Sequence, residues 1–247
     1  MSLSNIAFAS GLSSLMIVVI GWVLGLYLFK RYLSDKDNKN TLALAILLMS
    51  IGSVWLSISV NFILALMGNE FLNELPYILI IGWIPGVVLI SVGYMFISIV
   101  KEEYLKLVMF VTFAIFVINL IIVYGLILFG YFPISDQISF VTPVNGLPDA
   151  STTGFFQILT ITSIIFMAIT SIFFIYTSFK TTIPIVKTRA RLLGVGLLLS
   201  SVTIIFDSVL PPENITLLLG IRLIIVFSLF ILAMGITLPK RIFKNLT

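Results

Sequence analysis

"TLLLGIRLIIVF", residues 216–227, is a run of leucine, isoleucine and valine that carries one charge, Arg222. The apolar run continues to residue 238 with no second charged side chain. About 20 such residues in a helix cross a hydrocarbon core of about 30 Å. Whether Arg222 is misplaced, tolerated or functional depends on how the rest of the chain sits in a membrane.

The composition answers that in outline. Of 247 residues, 60% are hydrophobic and 10% charged, with a mean hydropathy of +1.22, whereas soluble proteins carry roughly a quarter charged residues. The expectation is an all-α membrane protein. The chain has no Cys and no His. That inventory excludes disulfides, thiolate and imidazole metal sites, His-ligated haem, Cys nucleophiles and Ser-His-Asp triads. No catalytic residues, cofactor, metal or nucleic-acid partner are expected.

A hydropathy window of about 19 residues picks out seven apolar segments, at 7–29, 41–67, 78–100, 107–131, 154–179, 193–210 and 216–238. They predict a single seven-transmembrane bundle over 1–247. The first segment lacks the positive leader of a secretory signal, and Lys30-Arg31 follow it as a stop-transfer signal, so it is read as a retained helix. The tail "PKRIFKNLT", 239–247, is too short to fold, so no output domain is expected within this chain.

Charge sets the expected orientation. Lys30, Arg31, Lys36 and Lys39 follow the first segment, Lys101 and Lys106 the third, Lys180, Lys187, Arg189 and Arg191 the fifth, and Lys240, Arg241 and Lys244 the seventh. The alternate connections carry Glu70, Glu74, Asp136, Asp149 and Glu213 and no basic residue. The positive-inside rule therefore places the N-terminus outside and the C-terminus in the cytoplasm of a multi-pass cell-membrane protein. Arg222 is the one basic residue this leaves over.

"GWVLG", 21–25, and "GWIPG", 82–86, are alike, but nothing around them repeats, so they read as small-residue packing faces rather than a duplicated unit. The long outer loop between the fourth and fifth segments holds "ISFVTPVNGLPDA", with the turn-forming Asn145-Gly146. A short hairpin there and an irregular loop are both open readings. Asn214-Ile215-Thr216 fits a glycosylation pattern but abuts the seventh segment, and reads as a helix N-cap.

With the N-terminus outside, the polar positions Asn61, Asn119, Tyr124, Gln157, Asp207 and Arg222 gather in the outer half of the bundle, with Pro85 as an expected kink. Helical side chains lean toward the N-terminus, so Arg222 points outward, toward the level of Asp207. Three readings of Arg222 stand open: an ion pair with Asp207 or failing that Glu213, a cation facing a ligand, or a side chain snorkelling to the headgroups.

Several classes fail on what is missing. A retinal protein needs a lysine in the last helix, and none precedes Lys240. Ion-coupled transport usually needs carboxylates near the midplane, and a Pro-Gln-type sugar carrier needs a Pro-Gln pair and a three-helix repeat. Neither pattern is present. "VKTRARLLGVGLLLSSV", 186–202, resembles the junction in the seven-helix sensory membrane region of many prokaryotic histidine kinases, where an Arg-rich inner loop enters a Leu/Gly-rich sixth helix. The seven-span layout is also similar to that of G-protein-coupled receptors, although "ISIVKEEY" stands where their acidic-Arg-Tyr motif would be. The resemblance implies a sensor that signals through a separate cytoplasmic protein. The expected ligand site is Arg222, Asp207, Asn61, Tyr124, Gln157 and Asn119, open to a small ligand from outside. Lys187, Arg189 and Arg191 are the expected partner-binding residues, and a transporter or a purely structural subunit is the alternative.

Overall fold

The computed structural model describes residues 3–72, 74–100, 104–126, 138–141, 147, 149–152, 154–209 and 214–237. Apart from one short β-ribbon, the regular structure among them is helical. The first helix, α1, runs Asn5–Ser34 and opens on Ser4, whose Oγ accepts the Ala7 N–H at 3.2 Å. A turn leads to α2 (Lys39–Ser53), started by the Asn38 Oδ1 accepting the Thr41 N–H. Then come α3 (Leu56–Leu66), α4 (Glu74–Ile81), α5 (Ile84–Val100) and α6 (Leu105–Leu120), which passes into a π-helical turn over Ile121–Leu126. Strands β1 (Ile138–Val141) and β2 (Asp149–Thr152) precede α7 (Gly154–Lys180), α8 (Pro184–Val209) and α9 (Ile215–Thr237).

Among the described residues, five helical stretches are long and apolar enough to cross a membrane, and the α2–α3 pair, bent by 48°, makes a sixth. The chain is therefore a multi-pass helical membrane protein. The apolar part of α6, Lys106–Ile118, is shorter than a full crossing. Large apolar side chains such as Val23, Leu26 and Tyr27 of α1 and Ile165, Ile169 and Ile172 of α7 lie on the outside of the bundle, a surface suited to lipid and not to water.

The core centres on α2, where Leu44, Leu47, Leu48 and Ile51 are fully buried. It packs chiefly against α1 and α5, while α8 lies between α7 and α9. The crossing of α1 and α2 explains the first of the two similar pentapeptides. A Cβ on Gly21 would lie 2.8 Å from Gly52 Cα, and one on Gly25 would lie 2.8 Å from the Ala45 carbonyl oxygen. In the second pentapeptide Gly82 falls in the turn between α4 and α5, and Gly86 faces the Phe116 ring. The first copy is the expected packing face, whereas the second is not: Gly82 belongs to the break and Gly86 alone is packed.

Three boundaries depart from the hydropathy reading. The α8 helix starts at Pro184, nine residues before the expected 193, because proline suits a first helical position and Lys, Arg and Ala are good helix formers that hydropathy ignores. The second segment is broken at Val54-Trp55, where Ser50 and Ser53 hydroxyls donate to the Ile46 and Met49 carbonyls, a bonding pattern that bends helices. The third segment breaks at Gly82-Trp83, just ahead of Pro85, which takes the second position of α5.

In the outer loop, β1 and β2 pair antiparallel, with Ile138 opposite Thr152 and Val141 opposite Asp149. Leu147, in the connection between them, is buried against Ala7 of α1 and Phe62 of α3. Asn214 caps α9, its Oδ1 accepting the Thr216 and Leu217 N–H groups at 3.0 and 3.2 Å.

Candidate functional site: a buried arginine cluster

Arg222 lies in the second turn of α9 and is 3% exposed. Its Nε is 3.3 Å from Asp207 Oδ1 in the last turn of α8. Its Nη1 faces the Ser10 carbonyl and the hydroxyls of Ser10, Ser13 and Ser14 on α1, at 3.1, 3.0 and 2.7 Å for the three hydroxyls. Asp207 Oδ2 accepts the indole N–H of Trp55 at 2.7 Å, and Trp55 is 2% exposed. One guanidinium and one carboxylate thus join α1, α8, α9 and the break between α2 and α3.

Each partner has a physical reason. The positions 10, 13 and 14 share one face of α1 because they are spaced by three and four residues. Trp55 sits where the break ends regular α-helical bonding, and its indole reaches Asp207. Of the three readings of Arg222, snorkelling fails on burial, and the pair with Asp207 is formed. Glu213, the other expected partner, lies outside the described residues. Sequence reasoning passed over Ser10, Ser13, Ser14 and Trp55. The signal was present in "SGLSS", three hydroxyls on one face of a membrane helix, since polar groups in lipid require partners.

The other expected site residues do not gather around this cluster. Asn61 is fully buried, and its Oδ1 accepts the Leu72 N–H at 2.8 Å, holding the loop after α3. Tyr124, in the π-helical turn, donates to the Leu79 carbonyl at 2.9 Å, and the Trp83 backbone N–H meets the same phenol oxygen. It therefore bridges the break between α4 and α5. Gln157 is exposed at the start of α7, and the side chain of Asn119 lies outside the described residues. Deeper polar groups are also spent locally: Trp22 donates to Ser53 Oγ at 2.9 Å, Ser171 to the Gly194 carbonyl, and Ser200 pairs with Ser228.

An open depression of about 300 Å³ lies at the end of α3, lined by Ala65, Gly68, Asn69, Glu70 and Phe71. Ala65 and Phe71 also pack against the Leu147 contact. At the other end of α8, Lys187 and Arg189 are partly buried and Arg191 is exposed over the Phe179 ring. No metal-ligating group of three or more acidic residues occurs among the described residues. No known protein family, curated protein or solved structure matches this chain.

Proposed function

We propose that the chain is a receptor-like, seven-span sensor of the cell membrane, with the N-terminus outside and the C-terminus cytoplasmic. The seventh crossing is the segment 107–131, of which α6 and the π-helical turn that follows it are the described part. A small ligand meets the outer surface at the depression beside α3, and a separate cytoplasmic protein reads the basic inner side, where α8 carries Lys187, Arg189 and Arg191. The observation that carries this reading is the bond from Trp55 to Asp207. Asn61 ties the depression loop to α3, Trp55 ties the start of α3 to α8, and α8 runs unbroken to its basic end. A broken helix held by a buried charge pair is a discrete element that a ligand could bias. In this reading Arg222 and Asp207 serve the coupling and the ligand contacts fall to the outer surface.

The same break favours one other reading, a small-molecule transporter, because discontinuous membrane helices form many transport sites. The two part on one experiment. A panel of small metabolites is screened for thermal stabilisation of the purified protein, and the stabilising compound is then offered to proteoliposomes. A sensor is stabilised and gives no uptake above empty vesicles; saturable uptake of that compound overturns the sensor reading.

The topology has its own test, made simple by the absence of native cysteine. Single cysteines at Asn69 and Asp149 are expected to react with a membrane-impermeant maleimide in intact cells, and those at Asp37 and Thr182 only after permeabilisation. Labelling of Thr182→Cys from outside would rule out the proposed orientation.

A further inference from the structure

We infer that the corner between α7 and α8 is a binding site for the headgroup of an anionic phospholipid. The inference uses the proposed orientation, which puts this corner at the inner leaflet. Lys180 ends α7, and Lys187, Arg189 and Arg191 lie in the first turns of α8. No Asp or Glu occurs anywhere from residue 150 to 206. The connection between the first two segments has four basic residues but also Asp35 and Asp37, and the one after the third segment has Glu102 and Glu103. Of the three inner connections, only this one leaves its cations without a carboxylate.

The cations are also held in place. Lys180 Nζ lies 4.6 Å from the centre of the Tyr176 ring, and the Arg191 guanidinium 5.3 Å from that of Phe179. Two cations from two helices are thus drawn to one strip of α7, where cation–π attraction fixes them. Lys187 is one turn from Arg191 on the same face of α8. The Nε of Arg189 is buried and has no hydrogen-bond partner among the described residues. Lys187, in the first turn of α8, opposes the helix dipole, and an anion between Lys187 and Arg191 relieves that opposition.

The occupant follows from what lies beneath. Along α7, Ile165, Ile169, Ile172, Tyr176 and Phe179 are exposed at spacings of three and four, a single apolar stripe that ends at Lys180 and Arg191. An acyl chain fits the stripe while a phosphate meets the cations. A cytoplasmic protein can read the end of α8 beside the lipid, but an acidic chain in place of the lipid would meet the charges alone and make no contact with the stripe. Juxtamembrane Lys and Arg residues bind anionic lipid with a gain of about five-fold per charge.

The test offers the purified protein, in a neutral detergent, equal amounts of phosphatidylglycerol and phosphatidylcholine, with bound lipid counted by native mass spectrometry. Phosphatidylglycerol is expected to be retained in preference. The exposed pair Lys180→Gln/Arg191→Gln should weaken it by about twenty-five-fold, from two charges at about five-fold each, while Lys30→Gln/Arg31→Gln, which removes two charges outside the corner, should leave it within about two-fold. Lys180→Gln alone, with a loss of about five-fold, serves if the double variant does not fold. Equal retention of the two lipids, an equal loss in the Lys30/Arg31 variant, displacement by millimolar inorganic phosphate, or tighter capture of polyglutamate than of phosphatidylglycerol would each overturn the lipid site. Because binding is read in detergent, a reversed topology in the cysteine experiment would leave this result unchanged, and the two failures are separable.

Discussion

Arg222→Leu is expected to cost about 3–5 kcal/mol of stability, the usual penalty for removing one partner of a buried ion pair. The variant leaves Asp207 with the Trp55 N–H as its described partner and takes the donor away from three serine hydroxyls of α1. A carboxylate in that setting is nearly as costly as the lost contacts. Adding Asp207→Asn removes the charge and keeps an oxygen for Trp55, so Arg222→Leu/Asp207→Asn should regain a large part of the loss. Trp55→Phe keeps the ion pair and deletes one bond to a charged acceptor, for a smaller cost of about 1.5–3 kcal/mol. Thermal unfolding of the wild type, these three variants and Asp207→Asn alone, all in detergent, reads this order and closes the double-mutant cycle. Additive losses in the double variant would show that Arg222 and Asp207 act independently.

Gly21→Leu is expected to have an effect of similar size by a different cause. The added side chain meets Gly52 Cα and the Leu48 carbonyl oxygen, at 2.8 and 2.9 Å from its first carbon. Both obstacles are backbone, so no rotamer change relieves the overlap, and the helices must separate. Gly21→Ala should cost about 1–3 kcal/mol as an overpacked contact, and leucine enough to prevent accumulation of folded protein. Gly220→Ala is the control, because nothing lies within 4 Å of its added carbon; it should leave the yield unchanged. Yield after size-exclusion chromatography separates the three.

The helical membrane class was legible in hydropathy alone, because a lipid core imposes one requirement on every spanning residue. The Asp207–Arg222 pair was legible too, since two opposite charges near one end of adjoining helices have few other partners in lipid. The break at Trp55 was hidden, as it carries no proline and arises from serine hydroxyls competing for backbone carbonyls. The start of α8 was hidden because hydropathy stops where charge begins, while the helix continues through Lys187, Arg189 and Arg191. The separate fates of Asn61 and Tyr124 were beyond sequence reasoning. Both share a depth with Arg222, but depth does not fix which backbone group a side chain satisfies.

The contact between Ser10 and Arg222 spans 212 residues of sequence. In a chain made and inserted from its N-terminus, α1 reaches the bilayer with three serines facing no cation, and it stays so until α9 arrives. The guanidinium in turn enters a bilayer where its acceptors already wait. Among the described helices α9 thus seals against α1, and a chain halted before α9 leaves the α1 serines and Asp207 without the guanidinium.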